Sequence, residues 1–277
     1  MMLIATAVLA ALHQVAAEES LRVAVVTGAN NHDWEFTSRS ILGTLQRAGR
    51  FEVYTMTDPG AELTSIGISE FDAVVLDYNG PRWGEEAEAV FVEAVRAGTG
   101  VVVVHAANNA FPGWTEYEEL VGLLWREGTG HGSFHPFDVQ VVDRDHPVTR
   151  ALPDLVAHPD ELYHRLVNPH GVDNRVLASA YSDPESGGTG KREPIVVARQ
   201  YGAGRVLHTT LGHVWRGVEE SQASHRDRQF QNLLVRATEW VATGEVRDGR
   251  VLPNHLTELE RRAGWQLLFD GTSTEGW

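Results

Sequence analysis

The sequence predicts an α/β fold built from right-handed βαβ units on a mostly parallel sheet. Three observations predict it. Val101 to Val104 form a β-branched run entered from Gly98-Thr99-Gly100 and closed by His105, the composition of a strand buried on both faces. Between Leu21 and Val104, short apolar strand patterns alternate with helical ones at spacings that suit parallel crossovers. The 277 residues, 42% of them hydrophobic, supply the core of one large α/β domain.

The elements follow in order. Residues 21–28 read as a first strand ending in glycine, and Asp33 caps a helix that runs to about Ala48 and stops at Gly49. Residues 51–57 and 71–78 are the second and third strands, the third closed by the Asn79-Gly80-Pro81 turn. Residues 85–97 form an amphipathic helix with Ala87, Val90, Phe91, Ala94 and Val95 on one side. The valine run is the fourth strand.

Beyond it the pattern loosens. A short helix is expected over residues 115–124, then a loop over 128–136 too rich in glycine to be regular. Residues 137–142, 176–181, 194–200 and 205–211 read as further strands, with Asp145-His146-Pro147 as a turn and residues 158–164 before a loop. The last helix spans 226–242, and its Phe230, Leu233, Leu234, Ala237 and Trp240 stripe reads as core. The domain is expected over residues 21–243, followed by a charged linker at 244–262.

Composition narrows the chemistry. A formal net charge of −15 argues against a nucleic-acid backbone or an anionic membrane as partner. The chain has no cysteine, which removes disulfides, thiolate zinc sites and a cysteine nucleophile together. Thirteen histidines remain, so a metal site must be built from His, Asp and Glu. There is no Gly-x-Ser-x-Gly elbow, Walker loop, dinucleotide fingerprint or His-Glu-x-x-His motif. Residues 1–17 are apolar and end in Val15-Ala16-Ala17, which predicts a secretory leader and a secreted or periplasmic location, although no Lys or Arg precedes the apolar run. That run is too short for a membrane span.

The candidate site sits at strand ends, where open α/β sheets bind ligands. His32 follows the first strand, His105 the fourth, and His213 the strand at 205–211. Three imidazoles and one carboxylate suit Zn²⁺ or another divalent ion with an open position, and Glu161 is the best-placed carboxylate, as general base or further ligand. From its own stretch, His105 reads equally as a group for chemistry or as a cap on the strand. Arg126 or His131 would orient the hydroxyls of a sugar, with Trp34 and Tyr163 as further substrate contacts. Trp34, Trp114, Trp125 and Trp215 lie near the same loops and either stack on a sugar ring or cover the sheet edge. His131 and His135 are ligands, substrate donors or plain loop residues. His146 belongs to a turn, His158, His164 and His170 fall in loops and His208 lies inside a strand, and none of them receives a role.

The motifs taken together resemble a family. Gly98-x-Gly-Val-Val-x-x-His105-Ala, Trp125-Arg-Glu, Asp145-His-Pro, Asp160-Glu-Leu-Tyr163 and Tyr201-Gly-x-Gly-Arg-Val followed by Leu211-Gly-His213 are similar to the trehalose-utilisation (ThuA-like) family. The resemblance implies a flavodoxin-like, doubly wound, mostly parallel sheet with helices on both faces, as in the class I glutamine amidotransferase superfamily. That superfamily carries a cysteine on a sharp elbow where this chain has His105, so thiolate amidotransferase chemistry is excluded. Residues 263–277, Gly264-Trp-Gln-Leu-Leu-Phe-Asp-Gly-Thr onward, resemble the opening of a 3-keto-disaccharide hydrolase-like domain. That implies a covalently linked C-terminal domain and a carbohydrate substrate. The expected function is a metal-dependent enzyme acting on a 3-keto sugar or disaccharide derivative. The alternatives are a non-catalytic sugar-binding or scaffolding module and a metal-free isomerase or lyase using His105 as acid-base.

Overall fold

The computed structural model describes residues 20–247 together with Gln266. The expected leader at 1–17 lies outside the described residues, as do the expected linker beyond Arg247 and, apart from Gln266, the hydrolase-like start at 263–277. The first half of the chain gives β1 (Leu21–Val26), α1 (Trp34–Arg47), β2 (Phe51–Met56), α2 (Pro59–Glu62), β3 (Ala73–Leu76), α3 (Glu85–Ala97), β4 (Gly100–Val104) and α4 (Thr115–Val121). The second half gives β5 (Gly130–His131), β6 (His135–Val141), β7 (Leu155–Asp160), β8 (Tyr163–His164), β9 (Arg175–Tyr181), β10 (Arg192–Tyr201), β11 (Gly204–Thr209), α5 (Ala223–Arg226) and α6 (Arg228–Thr243).

The main sheet has the order β2-β1-β3-β4-β11-β10-β9-β6-β7. From β2 to β11 every pairing is parallel, with Val25 opposite Val75, Leu76 opposite Val103 and Thr209 opposite Val104. The chain order reverses between β1 and β3, so the first five positions have the flavodoxin-like arrangement with β11 in the fifth place. From β10 outward the pairings are antiparallel, which closes the sheet with hairpins instead of crossovers.

Side-chain alternation decides which helix each strand meets. Val102 and Val104 pack with Ile41 and Leu45 of α1 and Leu233 and Val241 of α6. Val101 and Val103 pack on the opposite face with Phe91 and Val95 of α3 and Tyr117 and Leu120 of α4. Both faces are therefore dry, which is why a four-valine run is stable here. Fully burying one such side chain is worth about 1.5–3 kcal/mol.

Local signals set the helix ends. The Asp33 carboxylate accepts the Phe36 N–H, and Asp227 does the same for Gln229, so the expected last helix of residues 226–242 starts at Arg228 as α6, with the short α5 preceding it. Two readings are corrected. The glycine-rich 128–136 segment contains β5, which pairs with β8, so His164 lies in a short strand and not in a loop. His158 likewise lies in β7, an edge strand that tolerates Pro159 because its outer side has no ladder to break. No helix among the described residues is long and apolar enough to cross a membrane.

Candidate metal centre

Three turns at the carboxyl ends of parallel strands deliver the three histidines, two of them from the adjacent β4 and β11 and one from β1, which β3 separates from β4. After β1 the chain turns at Gly28, whose φ of +104° and contact with the Thr57 carbonyl leave no room for a side chain. After β4, His105 itself takes φ +47°, a left-handed elbow for a non-glycine residue that costs roughly 1–3 kcal/mol. After β11, Gly212 turns at φ +115° and presents His213. Each of the three imidazoles offers one nitrogen, and these atoms lie within 4.8 Å of one another. All three residues are buried, His32 at 5%, His105 at 3% and His213 at 0% exposure.

Hydrogen bonds set the tautomers of His105 and His32. His105 Nδ1 lies 2.6 Å from the Thr210 carbonyl, which can only accept, so Nδ1 holds the proton and Nε2 the lone pair. Asn79 donates to Asn31 Oδ1, and that oxygen in turn accepts from His32 Nδ1 at 3.0 Å, which leaves His32 Nε2 as the lone-pair atom. His213 Nδ1 is 3.3 Å from His105 Nε2, and its own Nε2 is buried with no hydrogen-bond partner. Two imidazole nitrogens on one tetrahedral zinc, at about 2.0–2.1 Å each, stand about 3.3 Å apart. The donor set therefore fits a divalent ion.

Electrostatics agree with that fit. Burial depresses His32 to about 4 and His213 to about 3, with neighbouring histidines adding to the depression at His213. Burial and the adjacent His32 hold His105 well below the ordinary imidazole range. At neutral pH the cluster is three uncharged ligands.

Around it stand four further groups. Glu161 Oε2 is 3.2 Å from Nδ1 of both His213 and His131, and Oε1 accepts from Trp215 Nε1 at 3.2 Å. Burial pushes the Glu161 carboxyl up, against the pull of His131 and Trp215, as a general base requires. The Tyr163 hydroxyl is 2.8 Å from His105 Nε2, and burial holds it well above the usual phenol range, so it stays protonated and, without an ion, donates to the lone pair that an ion would take. The Trp215 indole stacks on His32 at 4.8 Å with 20° between the planes and is 40% exposed.

The structure thus brings His32, His105, His213, Glu161, His131 and Tyr163 together. It engages Arg126 elsewhere: its five N–H groups bond to Glu118 (twice) and to the carbonyls of Asn109, Ala110 and Trp125, which leaves none for sugar hydroxyls. Trp34 opens α1 beside His32, but the ring that lies on His32 belongs to Trp215. Trp114 is buried against Trp83 and Tyr117 as core. Trp125 packs edge-on against Tyr163 at 4.6 Å, and His135 turns to the Ser133 carbonyl. Sequence reasoning gave no role to Asp160, His158 or Asp227, which form a buried layer behind Glu161. Trp215 had a signal, two residues after His213.

Comparisons with known proteins follow the same line. A search of curated proteins returned no match. A ThuA-like protein from Parabacteroides merdae ATCC 43184 is 34% identical, with a TM-score of 0.76 over 87% of this chain and 96% of that one. A ThuA-like protein from Bacteroides uniformis ATCC 8492 is 20% identical, with a TM-score of 0.64 over 81% and 93%. A cytoplasmic protein from Salmonella typhimurium LT2, 12% identical with a TM-score of 0.57 over 80% and 99%, shares the fold. The family model described as trehalose utilisation matches residues 22–241. Together with the 34% identical relative, that match places the chain in the ThuA family.

Proposed function

We propose that this chain is a metal-dependent enzyme of carbohydrate catabolism, with a 3-keto sugar or disaccharide derivative as substrate. The observation that carries the reading is the convergence of three buried, uncharged imidazoles beside a carboxylate whose proton affinity burial raises. His32, His105 and His213 would hold the ion, zinc by the chemistry of the donors. When bound it supplies Lewis-acid polarisation of a carbonyl oxygen.

The chain's own groups do the rest. Glu161 Oε2 takes a proton alpha to the carbonyl, and the raised carboxyl retains it. His131, 37% exposed on its side chain, holds its Nδ1 proton against the Gly132 carbonyl at 2.7 Å and lies 3.2 Å from that oxygen, so it steadies the carboxylate as a donor at the rim of the site. The exposed face of Trp215 provides a flat apolar wall of the kind that packs against a sugar ring. Glu161→Gln should lower turnover of a 3-keto disaccharide by about 10²–10⁴-fold, the usual worth of a positioned base. Equal turnover by the variant and the parent would remove Glu161 from the chemistry.

A further inference from the structure

The end of β7 carries a carboxylate with an unusual number of donors. Asp160 is fully buried, and its two oxygens serve different partners. Oδ1 accepts the backbone N–H of Glu161 at 2.7 Å and of His213 at 3.3 Å. Oδ2 accepts the Gly212 N–H at 2.8 Å, the Ser224 hydroxyl at 2.6 Å and His158 Nε2 at 3.2 Å. Behind it, His158 Nδ1 meets the Asp227 carboxylate at 2.6 Å. These donors come from β7, from the turn after β11 and from α5, segments that share no ladder hydrogen bond at this point.

We infer that Asp160 is the positioning residue of this site: one buried carboxylate fixes the backbone of Glu161 and of Gly212–His213 together. It thereby sets the distance between the proposed base and one proposed ligand. Among the described residues no backbone–backbone hydrogen bond joins these two turns, because Gly212 and His213 leave the sheet after Thr209 and Glu161 leaves it after Asp160. The 3.2 Å gap between Glu161 Oε2 and His213 Nδ1 follows from the shared anchor. Ser224 and the His158–Asp227 pair supply the remaining donors and hold Asp160 in place from α5 and the start of α6. For its metal readout this inference rests on the metal-centre reading; for its backbone readout it does not.

The test uses amide hydrogen exchange and zinc titration on the same protein. In the parent chain the amides of Glu161, Gly212 and His213 should exchange as slowly as those of β4, although none belongs to a strand ladder. Fast exchange at all three would overturn the inference without any variant. In Asp160→Asn the side-chain amide turns a donor toward the Gly212 N–H. Protection at Gly212 and His213 should fall by roughly 10–100-fold, as expected for losing a bond to a charged acceptor, while β1 and β3 amides stay unchanged. Zinc affinity should fall by about 10–100-fold, the usual effect of an outer-shell change, with the melting transition still cooperative. Unchanged protection at Gly212 and His213 in folded Asp160→Asn refutes the anchor. So does zinc affinity equal to that of a zinc-binding parent. A parent chain that binds no zinc refutes the metal-centre reading instead, and the exchange data then decide Asp160 alone.

Discussion

Two layers of buried histidine lie at the carboxyl end of the sheet, and they differ in charge: the front layer is neutral and the back layer is cationic. In the front layer, His32 and His213 are held at about 4 and about 3, and His105 well below its ordinary value, because burial removes water from the charged form. In the back layer, His158 is buried as completely, yet it is raised to about 9. Burial depresses it too, but the Asp160 and Asp227 carboxylates on its two nitrogens outweigh that cost. The difference teaches that burial alone makes a histidine a neutral ligand, whereas burial between two carboxylates makes it a fixed cation. His208, buried beside Asn108 with no carboxylate, falls to about 3 and obeys the first rule. The same logic acts on Asp160: burial pushes it up, and the bonds from His158 and Ser224 bring it below the usual carboxylate range.

Breaking the back layer should have the largest effect on stability. His158→Leu leaves Asp160 and Asp227 without their shared cation, and removing one partner of a buried pair costs about 3–5 kcal/mol. Urea denaturation of the variant checks this. A loss under about 1 kcal/mol would mean the pair is no better than a surface one.

A pH series sharpens the contrast at smaller amplitude. His158 has a folded pKa of about 9 against an ordinary 6.5, so its contribution is fully present below 6.5 and is lost as pH rises through 9. His208 has the opposite sign. Its folded value of about 3 lies below 6.5, so stability falls as pH drops from 6.5 toward 3. Melting temperatures from pH 5 to 10 should decline on both sides of the region near 6.5. In His158→Leu the alkaline decline attributable to this histidine should disappear. A parent chain whose stability is flat between pH 6.5 and 9 would contradict the charged back layer.

The front layer was legible in the sequence and the back layer was not. His32, His105 and His213 each follow a strand whose pattern is local, so the strand-end rule for open α/β sheets finds them. The same local signals place α3 at Glu85–Ala97 and the cap at Asp33. The back layer has no local pattern. Asp160 draws its donors from residues 158, 161, 212, 213 and 224, which only the tertiary fold assembles. β7 hid for a related reason: Pro159 reads as a strand breaker unless the strand is known to lie at an edge. Arg126 misled because a guanidinium in a loop looks available until the Glu118 carboxylate and three backbone carbonyls are seen to surround it.

Isothermal titration of the purified, chelator-treated chain with zinc at pH 7.5 probes the front layer itself. One ion per chain should bind in the parent, and His105→Ala should lose that binding while keeping a cooperative melt. Absence of binding in the parent, or unchanged binding in His105→Ala, would contradict the three-histidine centre.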